Sequence, residues 1–383
     1  MPVKHYDVII AGVGSMGSAA AYYCAAAGAK VLGLEQFGIP HDQGEHAGQS
    51  RIIRKAYFEH PDYVPLLDRA YANWNDLEVM AGTPVYHETG LLYLGQPDHP
   101  VMKGIDTAAH KFHIPLRTLT NTSIFPAFSV PDGFEMRYEP HAGFLQPEKA
   151  ISLYVSEARD LGALIHEYEP MISWELTPNG VSVQTALATY TADKLIISAG
   201  PWLSKAVPAL QQQLQVTRQI VCWAEPDEIE HFTPAKFSCW LIAEPDQPGA
   251  LYGFPALDTT EFGPPAGLKF AWHHAGDPAD PDAVNRNVTE KEIRELVDRV
   301  AKYIPALKNA KLNTVKTCLY TNTPDEHFIL DHLPGTKGKV SVAGGFSGHG
   351  FKFVSVVGEI LSQLALQGKT DLPAEFLSLK RFS

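Results

Sequence analysis

A glycine-rich turn between an apolar segment and an alanine-rich segment constrains the fold of this chain more than any other feature. Residues 6–11 are apolar apart from Asp7 and of strand length, and residues 18–27 are rich in alanine. Between them the spacing G-x-G-x-x-G is formed around Gly12, Gly14, Ser15, Met16 and Gly17. In such a unit the first glycine permits the tight turn, the second lets a pyrophosphate approach the backbone, and the third allows close packing of helix on strand. The pattern predicts a βαβ unit that binds a dinucleotide.

An uncharged run long enough to span a membrane covers residues 8–29, so a transmembrane helix has to be weighed against the βαβ unit. The run contains four glycines and continues into a second predicted strand, residues 30–35, which ends in Glu35. An acid at this position accepts hydrogen bonds from a ribose hydroxyl and disfavours a 2′-phosphate. We therefore predict FAD or NAD rather than NADP as the ligand, with Glu35 among the residues that bind it.

The length, charge and cysteine content of the chain exclude several classes of protein. With 383 residues, 45% of them hydrophobic and 19% charged, the chain has the material for two or three folding units. Its formal net charge of −12 disfavours nucleic acid as a partner. Its four cysteines are scattered, and the carboxylates and histidines of residues 325–332 are spaced like a hydrogen-bonded turn. We expect a soluble, cytoplasmic protein with no membrane attachment, no disulfide framework and no metal site.

Helix-like and strand-like segments alternate along the rest of the chain. Residues 63–80 and 289–303 have helical patterns, and residues 215–275 are typical of an antiparallel sheet. Residues 181–200 predict a hairpin that returns to a buried strand. Residues 340–364 predict a second strand–turn–helix unit whose N-terminus can face a cofactor. The fold class predicted is α/β plus antiparallel β, in which a Rossmann-like dinucleotide domain is interleaved with a β-rich substrate domain.

Two arginines three residues apart, Arg51 and Arg54, follow the nucleotide-binding unit. They would share one face of a helix if this stretch were helical. They fit either a cationic site for a carboxylate or a flavin, or a solvated pair with no function. The residues alone leave these alternatives open.

The whole chain resembles the monomeric sarcosine oxidase and N-methyltryptophan oxidase family, which are flavoprotein amine oxidases with covalent FAD. The resemblance rests on several blocks taken together: the opening glycine motif, residues 50–54, 252–255 and 267–269, Cys318, and the glycine-rich C-terminal turn. It implies an FAD-dependent oxidase of secondary amino acids such as sarcosine. The products would be the primary amino acid, formaldehyde and H₂O₂. It also implies a monomer whose partners are the amino acid substrate and O₂.

The resemblance further implies roles for individual residues. Cys318 matches the cysteine that forms a thioether with the flavin 8α-methyl carbon, and Lys269 matches the lysine assigned to oxygen activation. Arg54 and Lys352 match the pair that binds the substrate carboxylate, and Tyr320 is a weaker pocket candidate. The implied catalytic set is Lys269, Arg51, His273 and Tyr252. The implied substrate-binding set is Arg54, Lys352, Tyr252 and His273. The implied cofactor-binding set is Gly12, Gly14, Ser15, Met16, Gly17, Glu35, Ser50, Arg51, Cys318, Gly348, Gly350 and Lys352.

The chain departs from the family pattern at one position. Ala47 stands where many family members have a histidine near the flavin, which bears on flavin attachment and redox tuning.

The predicted FAD domain comprises residues 1–85, 148–218 and 320–383, and the substrate domain comprises residues 86–147 and 219–319.

The alternative functions are those of a fructosyl amino acid oxidase, a cyclic imino acid oxidase for pipecolate- or proline-like substrates, a dehydrogenase with another electron acceptor, and a non-catalytic FAD-binding redox protein.

Overall fold

The computed structural model describes residues 4–382, which form 20 β-strands and eight α-helices. The strands in chain order are β1 (Lys4–Ala11), β2 (Val31–Leu34), β3 (Arg51–Ile53), β4 (Tyr86–Glu88), β5 (Leu91–Gly95), β6 (Arg117–Leu119), β7 (Glu135–Glu139), β8 (Gly143–Leu145), β9 (Leu164–His166), β10 (Ser173–Leu176), β11 (Val181–Gln184), β12 (Thr189–Ile197), β13 (Gln215–Glu225), β14 (Cys239–Ala243), β15 (Ala250–Leu257), β16 (Gly267–His273), β17 (Asp277–Pro278), β18 (Lys311–Asn322), β19 (Ile329–His332) and β20 (Val340–Gly344). The helices are α1 (Ser15–Ala26), α2 (Val64–Ala81), α3 (Pro100–Phe112), α4 (Pro147–Asp160), α5 (Leu203–Ala206), α6 (Thr259–Phe262), α7 (Glu290–Val300) and α8 (Val354–Gln367).

Strand β1 lies inside an eight-stranded mixed sheet, paired in parallel with β12 on one side and with β2 on the other. The strand order is β10-β11-β12-β1-β2-β9, and β20 adds to β12 in parallel while β19 pairs with β20. The chain leaves β1 towards β2, whereas the strand on the other side of β1 comes much later in the sequence. The carboxyl end of β1 is therefore a topological switch point, where open α/β sheets bind ligands.

Two glycines of the opening motif are required by close backbone approaches at this switch point. Gly12 has φ +88°, and a Cβ there would lie 2.6 Å from the carbonyl oxygen of Ser198, the residue that follows β12. A Cβ at Gly17 would lie 1.9 Å from the carbonyl oxygen of Gly12. Gly14 is the N-cap of α1, so the free N–H groups of the first helical turn face outward from the sheet edge. The predicted strand–turn–helix unit is confirmed.

The β-rich part of the fold is a nine-stranded sheet in the order β17-β13-β16-β15-β14-β5-β7-β6, with β18 paired to β13. Its pairings are antiparallel except for that of β14 with β5. The predicted antiparallel sheet is thus confirmed. A third sheet, β3-β8-β4, contains residues 51–53, so the helix considered for the Arg51–Arg54 stretch does not form. That segment pairs with residues 143–145, which local sequence periodicity could not reveal.

Apolar side chains bury both faces of the eight-stranded sheet, as expected for a sheet with parallel strands at its centre. Val8 and Ile10 pack in a core that includes residues of α1, α2, α4 and α8, and Ile9 packs on the opposite face with Ile197 and Leu203. None of the helices in residues 4–382 combines the length and apolar character that crossing a membrane requires. The domain boundaries remain a prediction; two of them, at 218/219 and 319/320, fall inside β13 and β18.

Candidate active site

A large cavity extends from the glycine-rich turn after β1 to the strand that carries Cys318. The structure brings most of the predicted site residues into its wall: Gly12, Gly14, Ser15, Met16, Glu35, Arg51, Arg54, Tyr252, His273, Cys318, Tyr320, Gly348, Gly350 and Lys352. Three predicted residues, Gly17, Ser50 and Lys269, do not line it. Gly17 packs against the backbone of Gly12, while Ser50 and Lys269 lie together behind the wall.

At the nucleotide end, Glu35 holds the turn after β1. One carboxylate oxygen accepts a hydrogen bond from the Val13 N–H at 2.8 Å, and the other accepts one from the Phe37 N–H at 3.1 Å. Burial raises the pKa of Glu35 above its ordinary value, while these backbone hydrogen bonds oppose the rise. The unpaired N–H groups at the start of α1 and the partial positive charge of the helix end suit a pyrophosphate.

At the opposite end, Arg51 and Cys318 meet. The Arg51 Nη2 atom lies 3.7 Å from Cys318 Sγ and donates hydrogen bonds to the carbonyl oxygens of Glu45 and Ala47 at 3.0 and 2.6 Å. Burial alone would lower the pKa of Arg51, but Cys318, Tyr252 and other neighbours raise it above its ordinary value. Arg51 is therefore a fixed positive charge beside the Cys318 thiol.

Lys269 lies in β16 and is 1% exposed. Its Nζ donates hydrogen bonds to the carbonyl oxygens of Gly48 and Ser50, at 2.6 and 2.5 Å, and to Ser50 Oγ at 3.3 Å. Burial and the nearby charge of Arg51 lower the pKa of Lys269 well below its ordinary value. The side chain is held by backbone carbonyls, so its position is set by the loop formed by residues 48–50.

Arg54 and Lys352 lie in the same cavity, together with a carboxylate that the sequence analysis missed. Arg54 Nη2 donates to both oxygens of Glu59, at 2.6 and 2.8 Å, and Lys352 Nζ donates to the carbonyl oxygen of His349 at 2.7 Å. Burial raises the pKa of Glu59, but Arg54, His349 and Lys352 outweigh it and bring the pKa to about 2. Burial and the charge of Arg54 lower the pKa of Lys352 to about 7. A buried cation pair needs a counter-charge, which is the signal that points to Glu59.

Neutral polar groups complete this end of the cavity. His273 Nδ1 lies 3.2 Å from the Tyr320 hydroxyl, and burial lowers the pKa of His273 to about 4. Tyr57, also missed, hydrogen-bonds His349 Nδ1, and burial lowers the pKa of His349 to about 3. Both imidazoles are uncharged at neutral pH, so they supply hydrogen bonds without adding charge.

The cavity wall contains buried polar atoms that have no hydrogen-bond partner within residues 4–382. They include Glu45 Oε1 and His46 Nε2. Burial raises the pKa of Glu45 to about 7 and lowers that of His46 to about 3. Since buried polar groups are nearly always hydrogen-bonded, these orphaned atoms fit a cavity that takes up a polar ligand. Within the same described range, no group of three or more His, Cys, Asp or Glu side chains is arranged to hold a metal ion.

Residues 7–364 match the model of the family described as FAD dependent oxidoreductase. The chain belongs to this family. The cofactor of this family is FAD, which decides between the FAD and NAD that the opening motif leaves open.

This FAD-dependent oxidoreductase is similar along its whole length to proteins of known name. It is 39% identical to monomeric sarcosine oxidase of Streptomyces avermitilis, over 99% of this chain and 98% of the relative. It is 32% identical to N-methyl-L-tryptophan oxidase of Yersinia pestis, over 98% and 99% respectively. The family resemblance inferred from the sequence is confirmed.

A solved structure shows the same fold at lower identity. NikD, an unusual amino acid oxidase essential for nikkomycin biosynthesis, superposes with a TM-score of 0.85 at 23% identity and covers 98% of this chain and 97% of its own. The predicted fold class is therefore confirmed for the whole oxidoreductase.

Proposed function

We propose that this FAD-dependent oxidoreductase oxidises secondary, N-methyl amino acids, with sarcosine the leading substrate. The reaction would consume the N-methyl amino acid, O₂ and water, and release the primary amino acid, formaldehyde and H₂O₂. The observation that carries the proposal is the pair of buried cations, Arg54 and Lys352, in the cavity that also holds Arg51 and Cys318. The names of the relatives, sarcosine oxidase and N-methyl-L-tryptophan oxidase, support the same substrate class.

Arg54 and Lys352 would bind the substrate carboxylate. Charge-assisted hydrogen bonds to a carboxylate are shorter and stronger than neutral ones, and a buried site strengthens them further. With the carboxylate held, the amine is directed towards the neutral groups of His273, Tyr252 and Tyr320. None of these three groups adds a negative charge at neutral pH, so none of them stabilises a protonated amine.

The cofactor would be held at both ends of the cavity. The turn from Gly12 to Met16 and the N-terminal end of α1 would bind its pyrophosphate. Glu35 would bind its ribose. The cavity-lining residues Arg51, Gly348 and Gly350 suit its ring, with Ser50 behind the wall, and Cys318 is the proposed site of covalent attachment. When bound there, FAD would supply the two-electron redox chemistry that links oxidation of the carbon next to nitrogen to reduction of O₂. Lys269 would place a positive charge where O₂ acquires negative charge.

A substrate panel tests the proposal. The purified protein is assayed for H₂O₂ and formaldehyde with sarcosine, N-methyl-L-tryptophan, pipecolate, L-proline and a fructosyl amino acid. We expect peroxide and formaldehyde in equal amounts from sarcosine. Peroxide without formaldehyde from pipecolate or proline would replace the proposal with a cyclic imino acid oxidase. A preference for the fructosyl substrate would identify a fructosyl amino acid oxidase. Turnover with an artificial acceptor alone would indicate a dehydrogenase. No turnover with any of these substrates would indicate a non-catalytic FAD-binding redox protein.

We also propose that the protein acts as a cytoplasmic monomer. All four cysteines are buried and unpaired, which is typical of proteins in a reducing compartment. A relative is named as monomeric. Light scattering coupled to size exclusion would give the mass of one chain, 42.0 kDa plus FAD. A mass of two chains would contradict the monomer.

A further inference from the structure

Glu148, near the start of α4, holds the loop on which Lys269 rests. One of its carboxylate oxygens, Oε1, accepts hydrogen bonds from the Gly48 N–H at 2.7 Å and from the Gln49 N–H at 3.2 Å. The carbonyl oxygens of Gly48 and Ser50 in turn accept hydrogen bonds from Lys269 Nζ. Gly48 is therefore hydrogen-bonded on both sides: its N–H donates to the carboxylate of Glu148, and its carbonyl oxygen accepts from Lys269 Nζ.

Gln49 is fixed within the same loop by its side chain. Its Nε2 donates to the carbonyl oxygens of Gly263 and Pro265 at 2.6 and 3.1 Å, and its Oε1 accepts from Trp223 Nε1 at 3.2 Å. The loop thus has anchors from α4, β13 and the segment before β16. Of these anchors, only Glu148 on α4 carries a charge.

Glu148 supplies a negative charge close to two basic side chains, Lys269 and Arg51. Lys269 faces the cation Arg51 and the thiols of Cys318 and Cys239, and Glu148 is the carboxylate that acts on it. Glu148 also acts on Arg51 and on His46. Burial raises the pKa of Glu148, but the two backbone N–H groups and Arg51 bring it below its ordinary value, so the group is ionised at neutral pH.

We infer that Glu148 is a positioning residue for Lys269: it fixes the loop that holds the Lys269 side chain, and its negative charge favours the protonated form of that side chain beside Arg51. This inference rests on the proposed oxidase function, in which Lys269 serves the reaction with O₂. Glu148 does not line the cavity and so acts through the loop and its charge rather than by contact with substrate.

Glu148→Gln separates the two contributions, because the amide oxygen still accepts the N–H hydrogen bonds while the charge is lost. The holoenzyme is reduced anaerobically and mixed with O₂ in a stopped-flow instrument over a series of pH values. We expect E148Q to be oxidised more slowly than wild type on the alkaline side of the pH profile, by about tenfold for each unit by which loss of the charge lowers the pKa of Lys269. The midpoint of the pH profile should move to lower pH, and sulfite should bind the flavin more tightly because a nearby negative charge is gone.

Three further variants make the test specific. Glu78→Gln is the matched control, because Glu78 Oε1 also accepts two successive backbone N–H groups, those of Val85 and Tyr86 at 2.7 and 2.6 Å, but away from the cavity. E78Q should match wild type in all three readouts. E148D, which keeps the charge, should retain the wild-type pH midpoint. In a Lys269→Met background, Glu148→Gln should no longer slow oxidation, because its effect acts through Lys269.

The outcomes separate the inference from the function on which it rests. Slow oxidation of reduced wild-type enzyme by O₂ would defeat the oxidase proposal and, with it, the role given to Glu148. Fast wild-type oxidation combined with an unchanged rate, pH midpoint and sulfite affinity in E148Q would overturn the inference alone. If E148Q fails to fold, a pH midpoint in the charged E148D variant that differs from that of wild type would overturn the inference in the same way.

Discussion

Arg54 and Glu59 form a buried ion pair in which a single guanidinium nitrogen, Arg54 Nη2, lies 2.6 and 2.8 Å from the two carboxylate oxygens. Their side chains are only 4% and 9% exposed. The same guanidinium is the proposed ligand of the substrate carboxylate. A substrate must therefore share Arg54 with Glu59 or displace it, so an internal carboxylate competes with the external one.

Glu59→Gln should lower KM for sarcosine several-fold, because a neutral amide competes less well for Arg54. It should also cost about 3 kcal/mol of stability, since a buried arginine loses its counter-charge. Steady-state kinetics and thermal unfolding measure the two effects. Glu359→Gln is the control, because both carboxylate oxygens of Glu359 also accept hydrogen bonds from an arginine, Arg69 on α2, but away from the cavity. E359Q should leave KM unchanged, and a raised KM in E59Q would contradict the competition.

The pH dependence of carboxylate binding should follow Lys352. Its pKa of about 7 means that the ammonium is present below that pH and is lost as pH rises through it. Affinity for an amine-free carboxylate such as methoxyacetate, followed by flavin absorbance, should fall above about pH 7 by up to tenfold per pH unit. Lys352→Met should abolish the pH dependence, whereas Lys194→Met, whose Nζ contacts Gly338 at 2.8 Å, should not. A flat wild-type profile would count against Lys352 as a ligand.

Covalent attachment can be tested at Cys318. Intact-mass spectrometry of wild type should show the chain plus FAD less two hydrogens, and an acid-precipitated pellet should remain yellow. Cys318→Ala should lose both signals while still binding FAD through the other contacts. Cys222→Ala, which removes another buried thiol of the same sheet, should keep them. An adduct that persists in C318A would place the attachment at another residue.

Gly12 should be intolerant of any side chain for two separable reasons. Gly12→Ala combines backbone strain at φ +88° with a Cβ 2.6 Å from the Ser198 carbonyl oxygen. Gly28 has a similar φ of +84° but no atom within 4 Å of its Cβ position, so Gly28→Ala reports the strain alone. We expect about 1 kcal/mol of destabilisation in G28A and clearly more in G12A, which should also retain less FAD. Equal losses in denaturant titrations would show that the close approach is unimportant.

The sequence predicts those parts of the fold in which the backbone geometry itself requires particular residue types. The turn after β1 needs glycine at Gly12 and Gly17 for reasons of close approach, so the residues themselves indicate the structure. The stretch from Arg51 to Arg54 shows the opposite case. Its short strand exists because residues 51–53 pair with residues 143–145, a partner that no local periodicity reveals.

The site residues divide in the same way. Residues in glycine-rich turns or in recognisable blocks, such as Cys318 and Lys352, are predicted from the sequence, and the structure places them in the cavity wall. Glu59, Tyr57 and Glu148 are missed because each acts through a contact that only the folded chain creates. Lys269 itself is predicted, but its contacts are not. It hydrogen-bonds carbonyl groups 221 and 219 residues earlier in the chain, and sequence pattern does not reveal contacts across such a separation.

The most direct test of the account compares sarcosine with sarcosine amide, which keeps the N-methyl amine but lacks the carboxylate, in wild type and in Arg54→Ala. We predict that wild type prefers sarcosine in kcat/KM by at least about a hundredfold, as expected when a buried charged pair is lost, and that R54A loses most of that preference while oxidising the amide as wild type does. Equal turnover of both compounds by wild type, or an undiminished preference in R54A, would contradict a carboxylate site built on Arg54.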